Sequence, residues 1–171
     1  DNGRVHGDIK PDNIGIKNDR FLLLDFGICR PAEEFSRAST PTGSVRTRAP
    51  ELLSSHRYID PPKTDVWALG ATVFNALVGR FPLIDGNEVV PRISTPAARN
   101  EFERELVRRI EHDWQRWVDL DGVQAPLRDI LARMLDRDVE RRPTSSELLA
   151  RIEAELPAFL RTIRGAAAPA S

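Results

Sequence analysis

The chain has 171 residues, 40% of them hydrophobic and 30% charged, the composition of one folded domain with a sizeable core. Lys and Arg number 25 against 26 Asp and Glu, a formal net charge of −1, which argues against a broad nucleic-acid or anionic-membrane surface. A single cysteine, Cys29, excludes an internal disulfide, and no apolar run approaches the roughly 18 residues of a membrane-spanning helix.

Residues 1–4 carry no start-methionine context and the densest motif begins at His6, so the expectation is a fragment. Short apolar runs at 13–16 and 21–24 flank the turn-like Lys17-Asn18-Asp19-Arg20 and predict a small hairpin. Residues 25–51 are rich in Ser, Thr, Pro and Gly and read as a long loop, of the kind that is functional or disordered in a compact domain. From Thr64, a candidate cap, the residues Val66, Trp67, Leu69, Val73, Phe74 and Leu77 predict a helix apolar on most sides, hence buried.

Thr95-Pro96 supplies a cap and a first-turn proline. The repeat Phe102, Leu106, Val107, Ile110, Trp114 and Trp117 then predicts one long amphipathic helix, with Trp114 and Trp117, like Trp67, in the core. Its arginines at 104–109 interleave with Glu101, Glu103, Glu105 and Glu111, a solvated face with compensating pairs. Leu127, Ile130, Leu131, Met134 and Leu135 predict another helix. Thr144-Ser145-Ser146-Glu147 is a capping box opening the last one, which Pro157 is expected to end or kink. Residues 165–171 read as a disordered small-residue tail. A hairpin, a long loop and then helices make a mainly α layout.

The string His6-Gly7-Asp8-Ile9-Lys10-Pro11-Asp12-Asn13 carries the chemistry. Phosphoryl transfer needs a carboxylate to orient a hydroxyl and accept its proton, oxygen ligands for Mg²⁺, and positive charge near the moving group. Asp8, Asn13 and Lys10 offer these in one tight loop. A second acid, Asp25, follows the apolar run 21–24 in Asp25-Phe26-Gly27, where a carboxylate at a strand end suits a metal ligand. Alone that triplet is weak; a hairpin's length after the first loop it is strong.

On these strings the chain resembles the eukaryotic-type protein kinase family, over nearly its whole length, as a C-terminal lobe whose N-terminal lobe is missing. The resemblance implies a mainly α, kinase-like lobe at 1–164, with a catalytic loop at 6–13, an activation segment at 25–51 and a helical part at 64–164. It implies Asp8 as catalytic base, Lys10 on the γ-phosphate, and Asn13 and Asp25 as ligands of Mg²⁺ (or Mn²⁺) on ATP. Gly43 and Ser44 match the loop that receives the substrate, and Ala49-Pro50-Glu51 matches the end of the activation segment. His6, Phe26 and Gly27 are structural on this reading: His6 stacks under Phe26. Asp65 holds the catalytic-loop backbone from a buried helix, and Arg142 pairs with Glu51. The implied function is transfer of the γ-phosphate of ATP to Ser or Thr hydroxyls of a protein substrate, in the cytoplasm or on a protein anchored through missing regions, with the fragment inactive alone.

Four departures from the family pattern stand out. The glycine-rich loop, strand lysine and partner glutamate of an N-terminal lobe are absent from these 171 residues. Gly7 stands where Arg is usual, so a guanidinium latch for a phosphate on Ser36, Ser39, Thr40 or Thr42 is not available at that position. Gly15 replaces a larger apolar residue, and Thr47 a Tyr. Two alternatives remain open: a small-molecule phosphotransferase of the aminoglycoside type, which shares His-Gly-Asp but lacks Ala-Pro-Glu, and a pseudokinase acting as a regulatory module.

Overall fold

The computed structural model describes residues 3–18, 20–36, 43–53, 59–85 and 95–166; Asp19, Ser39, Thr40, Thr42 and residues 167–171 of the expected tail lie outside the described residues. Strands β2 (Ile14–Lys17) and β3 (Arg20–Leu23) pair antiparallel with Ile14 opposite Leu23 and Lys17 opposite Arg20, the hairpin that the apolar runs predict. Asn18 takes the left-handed turn position with φ 50°, which Asn tolerates because its short amide bonds locally. A second two-stranded ladder joins β1 (Arg4–Val5) to β4 (Arg30–Pro31) and leads into a short helix α1 (Ala32–Ser36). The stretch 25–51 is therefore not loop throughout. Val5 and Phe35 are buried and hold these pieces down, a tertiary gain that Ser- and Pro-rich composition does not reveal.

The central element is α2 (Pro61–Val78). It starts three residues before the expected cap: Pro61 occupies the first turn, where its missing N–H costs nothing, and Thr64 instead donates its hydroxyl to the Pro61 carbonyl at 2.6 Å. Gly79 ends it in the left-handed conformation and returns its N–H to the Asn75 carbonyl at 2.9 Å. Val66, Trp67, Ala68, Gly70, Ala71 and Phe74 are buried on several sides of the helix. One core cluster gathers Trp67, Ala71 and Phe74 with Phe102, Leu106 and Ile110; the other gathers Val66 with Ile130, Leu131, Met134 and Leu148.

The long helix expected after Thr95 comes in two pieces, α3 (Pro96–His112) and α4 (Trp114–Trp117). Thr95 caps α3 by accepting the Ala98 N–H at 3.2 Å. The chain breaks at Asp113 (φ −133°, ψ 32°), and the two tryptophans are each engaged by tertiary neighbours: Trp114 packs on Trp67 with ring centroids 5.6 Å apart, and Trp117 lies under the Arg109 guanidinium at 4.3 Å. Packing of large rings has overridden the helical period. Helix α5 (Leu127–Met134) lies against α2 at Gly70, where a Cβ would come within 2.9 Å of Met134.

Helix α6 (Ser145–Ala166) opens with the reciprocal pair of a capping box: the Thr144 N–H donates to Glu147 Oε2 at 2.8 Å and the Glu147 N–H to Thr144 Oγ1 at 3.2 Å. It runs on through Pro157 and takes in Gly165 and Ala166, so of the two expectations for Pro157, an end or a kink, the end is excluded, and the helix reaches past the expected tail boundary at 165. Pro157 and Glu153, whose carbonyl loses its helical donor, are both exposed, so that carbonyl is open to solvent in place of the missing bond. No helix among the described residues is long and apolar enough to cross a membrane.

Candidate active site

Asp65, in the first turns of α2, organises the site. Its Oδ2 accepts the His6 N–H at 2.7 Å and its Oδ1 the Gly7 N–H at 3.0 Å, which ties the loop 6–13 to the buried helix. Burial pushes the Asp65 carboxyl above the ordinary Asp range, and the two amide bonds pull the other way. His6 is buried behind it. Its Nε2 faces the Leu24 carbonyl at 3.1 Å, so that nitrogen carries the proton and Nδ1 accepts the Asp8 N–H at 3.3 Å. The Phe26 ring meets His6 edge-on, with centroids 5.0 Å apart and planes at 68°, not stacked as the family resemblance implies.

The Asp8 carboxylate is held on three sides. Lys10 Nζ lies 2.6 Å from Oδ2, Asn13 Nδ2 donates to the same oxygen at 3.2 Å, and the Ser44 N–H donates to Oδ1 at 2.8 Å. Asn13 Nδ2 also bonds the Asp8 carbonyl at 2.8 Å, turning its own carbonyl oxygen away from that residue. Pro11–Asn13 form a single 3₁₀ turn with proline at its start, which curls Asn13 back under Asp8. The Leu24 N–H donates to the Asn13 carbonyl at 2.8 Å, so the hairpin carries Asp25 beside the loop. Asp25 is exposed, has φ 59°, and accepts the Gly27 N–H at 3.2 Å on Oδ1. An amide oxygen and a carboxylate are the hard oxygen donors that Mg²⁺ prefers, so Asn13 and Asp25 fit such an ion.

Gly7 and Gly43 both have positive φ, +78° and +82°, and meet face to face: a Cβ on Gly43 would sit 2.2 Å from the Gly7 carbonyl oxygen. At Gly7 the space beyond the α-carbon is taken by Phe35 and Ile28. At Gly15 the Leu24 side chain fills the room that a larger residue would use, 3.0 Å from where a Cβ would stand. Thr47 is buried within the 3₁₀ turn Val45–Thr47, which Ser44 caps weakly by accepting the Arg46 N–H at 3.4 Å. Glu51 and Arg142 form a buried ion pair, and Arg142 also lies over the Trp67 ring at 5.2 Å.

The structure thus brings Asp8, Lys10, Asn13, Gly43, Ser44 and Asp65 together, sets His6 against Phe26, and leaves Asp25 at the exposed edge. One contact has no counterpart in the local sequence pattern. Glu103, expected on a solvated face, is half-buried and pairs with Arg48, whose pKa is lowered chiefly by burial against the opposing pull of Glu103. Fifty-five residues separate the two, and no nearby motif announces them.

A protein kinase domain family matches residues 1–152. The chain is 33% identical over 171 aligned residues to mitogen-activated protein kinase p38b of Drosophila melanogaster, covering 86% of this chain and 44% of that protein. Against mitogen-activated protein kinase pmk-1 of Caenorhabditis elegans the identity is 31%, covering 85% and 42%. Against the SNF-related serine/threonine-protein kinase of Rattus norvegicus it is 30%, covering 84% and 17%. The chain spans less than half the length of each of these relatives.

Proposed function

The chain belongs to the protein kinase family, and from that premise we propose that it is the catalytic C-terminal lobe of a Ser/Thr kinase that moves the γ-phosphate of ATP to hydroxyls of protein substrates. The observation that carries this reading is the Asp8 carboxylate, fixed from three directions by Lys10, Asn13 and the Ser44 amide. A base held in this way can orient an incoming hydroxyl and accept its proton without first reorganising. Lys10, 2.6 Å from Asp8, sets a positive charge where the phosphoryl group meets that hydroxyl. Asn13 and Asp25 would hold Mg²⁺, which when bound neutralises charge on the phosphates.

Within the chain the loop 6–13, the segment 25–51 and the helices from 64 onward take the roles of catalytic loop, activation segment and helical support. Gly43 and Ser44 form the edge against which the acceptor lies. Because Lys10 and the Ser44 amide both reach Asp8, the space beside it suits the short side chains of Ser and Thr. Phe21 and Ile16, opposite each other across the ladder and 78% and 71% exposed, form an uncovered apolar side on the hairpin, and Leu24 and Phe26 are exposed beyond it. That side supports an N-terminal lobe that completes the nucleotide site, and alone this chain binds Mg-ATP weakly. Such an enzyme works in the cytoplasm, where ATP and protein substrates meet.

The test is labelled-phosphate transfer from ATP to a Ser/Thr/Tyr peptide library by the two-lobed protein. Asp8→Ala and Asp25→Ala should each lower turnover by about 10²–10⁴-fold, with only Asp25→Ala weakening metal-dependent nucleotide binding. Wild-type turnover in either variant removes the role given to that residue, and predominant Tyr labelling overturns the acceptor class.

A further inference from the structure

Arg48 is 3% exposed in its side chain and lies just before Ala49-Pro50-Glu51. Its Nη1 donates to Glu103 Oε1 on α3, and its Nη2 to the Gly43 carbonyl at 3.1 Å. Its Nε is buried with no hydrogen-bond partner among the described residues, so those two contacts set the direction of the guanidinium. The Gly43 carbonyl belongs to the same peptide unit as the Ser44 N–H, which donates to Asp8 Oδ1 at 2.8 Å. A trans peptide is planar, with its C=O and N–H pointing opposite ways. Whatever holds the oxygen therefore aims the hydrogen.

Gly43, with φ +82°, is the residue at which such a plane turns over most easily, since it has no Cβ to oppose the change. We propose that Glu103 is a positioning residue for the transfer reaction: by pairing with Arg48 it clamps the Gly43–Ser44 peptide in the orientation whose N–H holds the Asp8 carboxylate. Phosphoryl transfer here rests on the function proposed above; the clamp itself does not. Docking of α3 is a separate matter, because Phe102, Leu106 and Ile110 are buried in the core whether or not residue 103 carries a charge. Residue 103 thereby connects the outer helix to the reacting carboxylate through one guanidinium and one peptide plane.

The experiment is residue-resolved amide hydrogen exchange on the 171-residue chain, without nucleotide. Glu103→Ala should speed exchange at the Ser44 amide at least about tenfold relative to the Leu135 amide, which is bonded inside the core to the Leu131 carbonyl at 2.9 Å. Glu103→Gln keeps an oxygen acceptor for Arg48 and should restore most of the protection. Arg48→Lys keeps a charge for Glu103, but its single ammonium lacks the planar fork that reaches both partners, and it should lose Ser44 protection too. Unchanged Ser44 exchange in Glu103→Ala overturns the clamp. Acceleration of Ser44 only in step with Leu135 also overturns it, since that is a general loss of structure. In the two-lobed enzyme, Glu103→Ala should lower kcat for a Ser peptide about tenfold and leave the KM for ATP unchanged. An unchanged kcat beside a selective exchange effect overturns the positioning role while keeping the clamp. A wild-type two-lobed protein that transfers nothing defeats the proposed function and leaves the exchange result standing.

Discussion

Glu51 and Arg142, 91 residues apart, meet in a two-point ion pair, with Nη1 on Oε1 at 2.7 Å and Nη2 on Oε2 at 3.0 Å. The side chains are 1% and 0% exposed, so neither charge reaches water. Arg142 also donates to the Asp136 carbonyl at 3.1 Å and to the Lys63 carbonyl at 2.9 Å, joining the end of the segment 43–53 to α2 and to the turn before α6. Removal of one partner strands the other charge in the core. Glu51→Ala and Arg142→Ala should each cost about 3–5 kcal/mol in urea unfolding. The double variant should cost less than the sum, but more than nothing, because the Asp136 and Lys63 carbonyls still lose their donor. A strictly additive double variant would show that the two side chains do not act as a pair.

Asp65 predicts a slope in stability with pH. Its carboxyl is raised above the ordinary Asp value, chiefly by burial, so between that ordinary value and the folded one the folded chain binds a proton that the unfolded chain has released. This group's contribution is therefore greatest at low pH and falls as pH rises through the window that begins near about 3.9. Asp65→Asn cannot titrate. Urea melts of the two proteins from about pH 3.5 to about pH 6 should show the wild type losing stability relative to Asp65→Asn as pH rises. A difference that stays constant across this range would mean that the amide bonds from His6 and Gly7 balance burial, and a wild type that gains on Asp65→Asn as pH rises would mean that they outweigh it.

Gly43 and Gly79 share φ +82° but differ in their surroundings, which makes them a matched pair. An alanine at 79 meets nothing within 4 Å and should cost only the left-handed backbone term, about 1–2 kcal/mol. At 43 the added Cβ would also lie 2.2 Å from the backbone oxygen of Gly7, an atom that cannot swing aside. Gly43→Ala should cost a further 1–3 kcal/mol or so, the range for overpacking, and release the Ser44 N–H from Asp8. Equal losses at the two positions, measured by thermal unfolding, would show that Gly7 and Gly43 do not make this contact in solution.

Features that depend on near neighbours were legible in the sequence. The hairpin turn at Lys17 to Arg20, the Thr95 cap, the Thr144–Glu147 box and the family strings around Asp8 and Asp25 are each written within a few residues. Asp8, Lys10 and Asn13 meet for the same reason, since one 3₁₀ turn suffices to fold them onto each other. Tertiary structure alone decided the rest. The break at Asp113 is accompanied by Trp114 lying on Trp67, the helix inside 25–51 by the burial of Val5 and Phe35, and the place of Glu103 by an arginine 55 residues earlier. Periodicity and propensity are worth a few tenths of a kcal/mol per residue, whereas exposing a buried ring, or leaving a buried guanidinium without its partner, costs several times that. Where the two disagree the buried group prevails, and its partner can lie anywhere along the chain.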